Sequence, residues 1–109
     1  MGAPDLPNPI DKFVAVVNRG DTEAFLSFFT EDGIVDDWGR RFAGRDAIRR
    51  WSDKEFIGAK GRMTVKNVEP AKNKMRVIAD WKSNFYSGLS AFEFVLAGNL
   101  LKEMRIREA

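Results

Sequence analysis

A chain of 109 residues with 44% hydrophobic and 31% charged side chains has the make-up of an ordinary globular domain, able to bury about two thirds of its unfolded surface. It contains no Cys and no His, which excludes disulfides, thiolate nucleophiles, zinc–thiolate sites and every catalytic arrangement built on imidazole. Acid–base chemistry must rest on Asp, Glu, Lys or the single Tyr86, and a net charge of +2 creates no field that demands a polyanionic partner.

The opening MGAPDLPNPI lacks the basic-then-apolar order of a secretion signal, and no apolar run approaches the roughly 20 residues that span a bilayer, so a cytoplasmic protein without membrane contact is expected. Residues 1–8 are Pro-rich and read as a flexible arm, leaving 9–109 as one domain. Asn8-Pro9 reads as a helix start, with Asn8 as cap and Pro9 at the first helical position, where no N–H is missed. Ile10, Phe13, Val14 and Val17 follow at helical spacing. Gly20 ends this helix and Asp21 caps the next, whose Ala24, Phe25, Phe28 and Phe29 form an apolar stripe.

Thr30-Glu31-Asp32-Gly33 then reads as a turn, Ile34 to Trp38 as a short strand, and the residues after it as an Arg-rich loop. Alternation places Val35 and Asp37 on one face of that strand and Ile34, Asp36 and Trp38 on the other. A carboxylate on an apolar cavity wall is desolvated, which disfavours its charged form, so Asp37 is a candidate general base. Asp36 is expected in solvent. A third helix opens at Gly44-Arg45-Asp46, turns Ala47, Ile48 and Trp51 inward, and ends near Gly58.

From there the period changes to two. Arg62 to Glu69 alternates with Met63 and Val65 inward and closes in a turn at Pro70 to Asn73; Lys74 to Tyr86 carries Met75, Val77, Ala79, Trp81 and Phe85 on one face. Ser87-Gly88 reads as a hairpin turn, Leu89 to Leu96 as a strand with Phe92, Phe94 and Leu96 inward, Gly98-Asn99 as a second hairpin turn, and Leu100 to Glu108 as the last strand.

Helices followed by antiparallel strands with short turns define an α+β fold, with three N-terminal helices packed on the concave side of a strongly curved antiparallel sheet. Such a sheet leaves an apolar pocket at its open end. Phe13, Val17, Val35, Trp38, Trp51, Met63, Trp81 and Phe92 are its expected lining, since large rings wall concave ligand sites and Trp N–H groups orient polar ligands. Met75 and Met104 read with Met63 as filler near the cavity. The convex face, bearing Arg76, Lys82 and Glu93, is expected to pair in a homodimer.

Arg40, Arg41, Arg45, Arg49 and Arg50 are read first as a solvated face and second as a contact for phosphate, an acidic ligand or nucleic acid, which the interspersed acids argue against. Dinucleotide, P-loop and EF-hand patterns are absent, so neither a cofactor nor a metal is expected.

Asn18, Gly20 and Asp21 between the first helices, Asp32, Gly33, Val35 and Asp37 on the strand, and Gly44, Arg45, Asp46, Ala47 and Ile48 opening the third helix form an ordered series over about residues 9–108. In this order the chain resembles the nuclear transport factor 2-like (cystatin-like) superfamily, and within it the SnoaL-like group that includes ketosteroid isomerase. The resemblance implies a cone-shaped fold around an apolar pocket, commonly dimeric, shared by isomerases, cyclases, hydrolases, dehydratases and non-catalytic binders. It also implies that Asp37 matches the isomerase base. The isomerase's oxyanion donors are a Tyr and a protonated Asp; here Phe13 stands at the Tyr position, and the other region reads Ser90-Ala91-Phe92, with no carboxylate until Glu93. One such donor is worth about 3 kcal/mol, so that mechanism is not expected unless Trp38, Trp51, Trp81 or Tyr86 substitutes.

Two functions follow as expectations. The first is a pocket protein for a mainly apolar small molecule, extending to a cofactor-independent isomerase or cyclase that uses Asp37 as base. The second is a non-catalytic dimeric binding module that works through the convex face or the Arg-rich loop.

Overall fold

The computed structural model describes residues 6–109. Three helices, α1 (Ile10–Arg19), α2 (Thr22–Ser27) and α3 (Arg45–Glu55), pack on one face of a curved, unclosed six-stranded sheet. Its strands are β1 (Phe29–Asp37), β2 (Arg40–Ala43), β3 (Arg62–Ala71), β4 (Lys74–Lys82), β5 (Gly88–Ala97) and β6 (Leu100–Glu108), in the order β2-β1-β6-β5-β4-β3. Every pairing is antiparallel except β1 with β6, which is parallel. The expected α+β architecture holds, with that one parallel join correcting a wholly antiparallel sheet. It arises because β1, entered from the helices, inserts beside the last strand rather than following a hairpin.

Residues 1–5 of the expected arm lie outside the described residues, while Leu6 is half-buried against the core. Pro9, rather than Asn8, occupies the residue before α1, and no side chain caps the helix; the N–H groups of Ile10 and Asp11 donate to the Pro7 carbonyl instead. At the other end Gly20 takes φ 76°, where a Cβ would be strained, and its N–H donates to the Val16 and Val17 carbonyls. Asp21 caps α2 as expected, its Oδ1 accepting from Ala24 N at 3.1 Å.

Other motif residues hold the elements together. Asn18 makes a reciprocal pair with Met63 on the edge strand β3: Nδ2 donates to the carbonyl at 2.9 Å, and Oδ1 accepts from the N–H at 2.6 Å. Arg45 donates to the Phe29 carbonyl at 2.6 Å, and Arg49 pairs with Glu23, tying α3 to α2.

Four segments differ from expectation. Phe29 belongs to β1 rather than α2, and residues 30–33 form an irregularity inside β1, because five steps along β1 match two along β6. The Arg-rich loop is largely a strand: Trp38 and Gly39 take φ 56° and 91° in a two-residue turn that folds β2 back onto β1, with Asp37 opposite Arg40. Trp38 gives no sequence signal for that turn. Lastly, Pro70 and Ala71 still pair with Met75 and Lys74, so the turn narrows to Lys72-Asn73; β4 stops at Lys82, and residues 83–87 connect it to β5. Phe85 is consequently exposed rather than inward.

The core lies between the helices and the sheet. Phe13 sits at its centre, 5.4 to 5.6 Å from the rings of Phe25, Phe28 and Phe94. Val17, Val35, Met63, Met75 and Met104 fill the space around this cluster. Fully burying one such side chain contributes about 1.5–3 kcal/mol.

Candidate active-site cleft

At one end of the sheet the last residues of β1, β4 and β6 and the first of β5 converge on the C-terminal turn of α3, around a cleft of about 360 Å³. That is room for a small organic molecule. Its wall is aromatic: Trp51 comes from α3, Phe56 follows that helix, Trp81 ends β4 and Phe92 lies on β5. Phe42, Trp51, Phe56 and Trp81 form a continuous stack, with successive centroids 6.0, 4.8 and 4.4 Å apart. Trp38, Phe85 and Tyr86 line the mouth with 51%, 61% and 45% of their surfaces exposed.

Three charged groups line this wall, Asp37, Arg40 and Glu55. Asp37 and Glu55 are nearly buried, and Arg40 is half-exposed at the rim. Arg40 donates from both terminal nitrogens to both Glu55 oxygens, at 2.6 and 3.1 Å, and from Nη2 also to Asp37 Oδ2. These bonds hold the guanidinium well above its ordinary pKa, with Glu55 the largest cause, so it stays charged. Trp51 Nε1 donates to the same Oδ2 at 3.1 Å. Among the described residues no group donates to Asp37 Oδ1, leaving one carboxylate oxygen beside the cleft as an acceptor.

Asp36 departs from expectation. It points to the opposite face as alternation requires, but it is buried there rather than solvated, because arginines cover it. Arg107 and Arg41 each reach its carboxylate at 3.1 Å, and Gly39 N donates at 2.8 Å. The Arg107 hydrogen bond, with the Gly39 and Arg41 bonds, holds its pKa below the ordinary Asp range against the opposing effect of burial.

Of the side chains expected around the pocket, the structure brings Trp38, Trp51, Trp81 and Phe92 to the cleft with Asp37, and sets Phe13, Val17, Val35 and Met63 in the core away from it. They point inward as alternation and helical spacing require, but inward positions at the centre of the layer are packed solid. The cleft also contains Glu55 and Phe56, which sequence reasoning did not single out, and Arg40, which it read as part of a solvated face or as a contact for an acidic ligand. Glu55 follows Trp51 by four residues on one helix, a spacing that puts both on one face. Arg40 could be placed opposite Asp37 only once the Trp38-Gly39 hairpin was known.

Trp51 spends its N–H on Asp37, whereas the Trp38 and Trp81 N–H groups and the Tyr86 hydroxyl donate to no described residue. Four of the five clustered arginines are committed within the chain: Arg40 and Arg41 to carboxylates, Arg45 to a carbonyl and Arg49 to Glu23. Among the described residues no group of three or more His, Cys, Asp or Glu is placed to hold a metal ion, and no helix is long and apolar enough to cross a membrane.

Three helices, a six-stranded curved sheet and an aromatic cleft holding two carboxylates coincide with a family model, the SnoaL-like domain, matched over residues 10–96. The chain belongs to the SnoaL-like family. Within solved structures, this SnoaL-like chain superposes on a proposed polyketide cyclase from Sinorhizobium meliloti with a TM-score of 0.83 and 23% identity, covering 94% of this chain and 96% of that one. It also superposes on SalBIII, an epoxide hydrolase/cyclase-like enzyme with a role in pyran ring formation in the polyether salinomycin (TM-score 0.81, 18% identity, 92% and 87% covered). A computationally designed 17-OHP binder matches equally well in shape, with a TM-score of 0.81 at 12% identity over 92% of this chain and 87% of that one. At these identities the likeness establishes the nuclear transport factor 2-like fold alone. Comparison with curated protein sequences finds no match.

Proposed function

We propose that this SnoaL-like protein binds a mainly apolar small molecule in the aromatic cleft, and that Asp37 acts there as the general base of a cofactor-independent isomerase or cyclase. The observation that carries the reading is the uncommitted Oδ1 of Asp37 on an aromatic wall, held in place by Trp51 and Arg40 on its other oxygen. A base must present a free lone pair to the substrate C–H while its own orientation is fixed. Trp81 Nε1 and the Tyr86 hydroxyl are the available donors for a developing enolate oxygen, in place of the absent Tyr and carboxylic acid. The cyclase-like and ligand-binding proteins that share the fold support a small-molecule site. Cytoplasmic residence is part of this proposal.

Two measurements test it. A ligand at a hundredfold its dissociation constant stabilises the native state by about 2.7 kcal/mol, a shift of roughly 10 °C for a domain of this size. A panel of cyclic ketones, lactones and steroids is therefore expected to contain a compound that raises the Tm by that amount. For a ketone that binds, deuterium exchange at its α-carbon followed by NMR is expected to fall by about a hundredfold or more in Asp37→Asn. Exchange that survives that substitution rules out Asp37 as the base.

A second reading, the homodimer, is favoured by the sheet's convex face. There Arg41, Asp36, Arg105, Glu93, Arg76 and Glu69 stand side by side, one on each of the six strands, alternating in sign. A two-fold axis parallel to the strands lays this row on its own reverse, so Arg41 meets Glu69 and Arg105 meets Glu93 of a second copy, while the Asp36 opposite Arg76 lies buried under Arg41 and Arg107. Sedimentation is expected to show a dimer that weakens with salt and is lost in Arg105→Glu. A monomer at low salt and high protein concentration removes this reading.

A further inference from the structure

The charges of the cleft do not balance. Asp37 and Glu55 supply two carboxylates, Arg40 supplies one guanidinium, and no other charged side chain lines the cavity among the described residues. Arg40 commits three of its five N–H donors to both Glu55 oxygens and to Asp37 Oδ2, so its one positive charge is shared between the two carboxylates. What remains beside the cleft is Asp37 Oδ1. The rings at the mouth reinforce the same sign, because the face of an indole or phenyl ring carries the negative lobe of its quadrupole and attracts cations. Trp38, Phe85 and Tyr86 are exposed there, while Trp51 and Phe56 have both faces covered within the stack that forms the wall. An anionic ligand would meet a wall with one more carboxylate than guanidinium and the exposed ring faces of the mouth.

Resting on the reading of the cleft as a ligand site, we infer that the cleft also takes a cationic amine with apolar, ring-bearing substituents, its ammonium N–H donating to Asp37 Oδ1 where a substrate C–H would otherwise lie and its N-alkyl groups lying against the aromatic wall. The local negative charge stands against a whole-chain net charge of +2, so the preference belongs to the cleft and not to the protein at large. The selection is electrostatic as well as hydrophobic: an uncharged molecule of the same shape gains only the burial of its rings.

Isothermal titration of the intact protein at pH 7 with three naphthalene probes of similar size tests this. They are N,N-dimethyl-2-(2-naphthyl)ethylamine, which is protonated at that pH, the neutral N,N-dimethyl-2-(2-naphthyl)acetamide, and 3-(2-naphthyl)propanoate. The amine is expected to bind about tenfold or more tightly than the amide, and the carboxylate more weakly than either. Asp37→Asn, confirmed as folded by its circular dichroism, is expected to collapse the amine-to-amide ratio towards one. Equal binding of amine and amide, or tightest binding of the carboxylate, overturns the cation preference while leaving an apolar-ligand cleft. Failure of all three probes to bind overturns the cleft as a ligand site, and this inference with it.

Discussion

Trp51 Nε1 donates to Asp37 Oδ2 at 3.1 Å, and this one bond joins the middle of α3 to the final residue of β1. The indole is clamped between Phe42 and Phe56, so the donor's direction is set by packing rather than by the bond itself. Trp51 therefore positions the carboxylate. Trp51→Phe keeps most of the stack and deletes the donor, and it is expected to cost about 1–2 kcal/mol in urea unfolding, a typical value for a bond to a charged acceptor near the surface. Ligand affinity or exchange rate is expected to fall further than this stability loss explains, because Asp37 gains rotational freedom. Unchanged ligand response in a well-folded Trp51→Phe protein would count against the positioning role.

Phe13 occupies the position that matches the isomerase's Tyr, which suggests an obvious repair. The structure argues that the repair fails. The ring is fully buried among Phe25, Phe28, Phe29 and Phe94, and it lies away from the cleft. A hydroxyl placed there is desolvated in a nest of rings, at a cost of about 1–3 kcal/mol. Phe13→Tyr is expected to lower the urea midpoint and to confer no α-proton exchange activity. A gain of exchange would mean that the cleft extends to α1.

What could be read from the residues, and what could not, follows the range of the interactions involved. Gly20 with Asp21 and Gly98-Asn99 announce themselves because a left-handed cap, a side-chain cap and a two-residue turn are local chemistry. Alternation correctly put Asp37 on the face of Val35. It could not say what covers the other face, and Asp36 is buried by Arg107, 71 positions away in the chain. Nor does periodicity measure depth: Phe13 and Met63 point inward as expected but end in the packed centre, whereas Trp51 and Trp81, buried as well, end on the wall of the cleft. The β2 hairpin escaped notice because Trp38 adopts a backbone conformation that large side chains rarely take.

Asp36 gives the protein a defined acid response. Its folded-state pKa is depressed, chiefly by Arg107, below the ordinary aspartate value near 4, so the unfolded chain binds the proton more readily. The stability it contributes is complete above that ordinary value and is lost as pH falls through the folded one. Asp36→Asn is expected to lower the unfolding free energy by about 1–3 kcal/mol at pH 7. The gap from the wild type should stay constant down to about pH 5 and narrow below about pH 4. Urea titrations at pH 7, 5, 4 and 3 measure it, and a gap undiminished at pH 3 contradicts the assignment.

Gly61 sets the shape of the cleft from behind. A Cβ at this buried position would fall inside the van der Waals surface of the Trp81 ring and 2.8 Å from the Phe56 carbonyl oxygen. Trp81 cannot simply move away, because Phe56 stacks on its other side at 4.4 Å with an interplanar angle of 10°. Gly61→Ala must therefore displace the indole, breaking the stack or pushing the ring into the cavity. The expected cost is about 1–3 kcal/mol, typical of overpacking, together with a changed near-ultraviolet circular dichroism signal and weaker binding of any ligand of the cleft. Gly98→Ala is the control. That position takes φ 62° with nothing within 4 Å of the new methyl group, so it pays only backbone strain of about 1 kcal/mol and should leave the spectrum and ligand binding unaltered. If Gly61→Ala matched the wild type in stability and spectrum, the tight Trp81–Gly61 contact could not be what holds the cleft open.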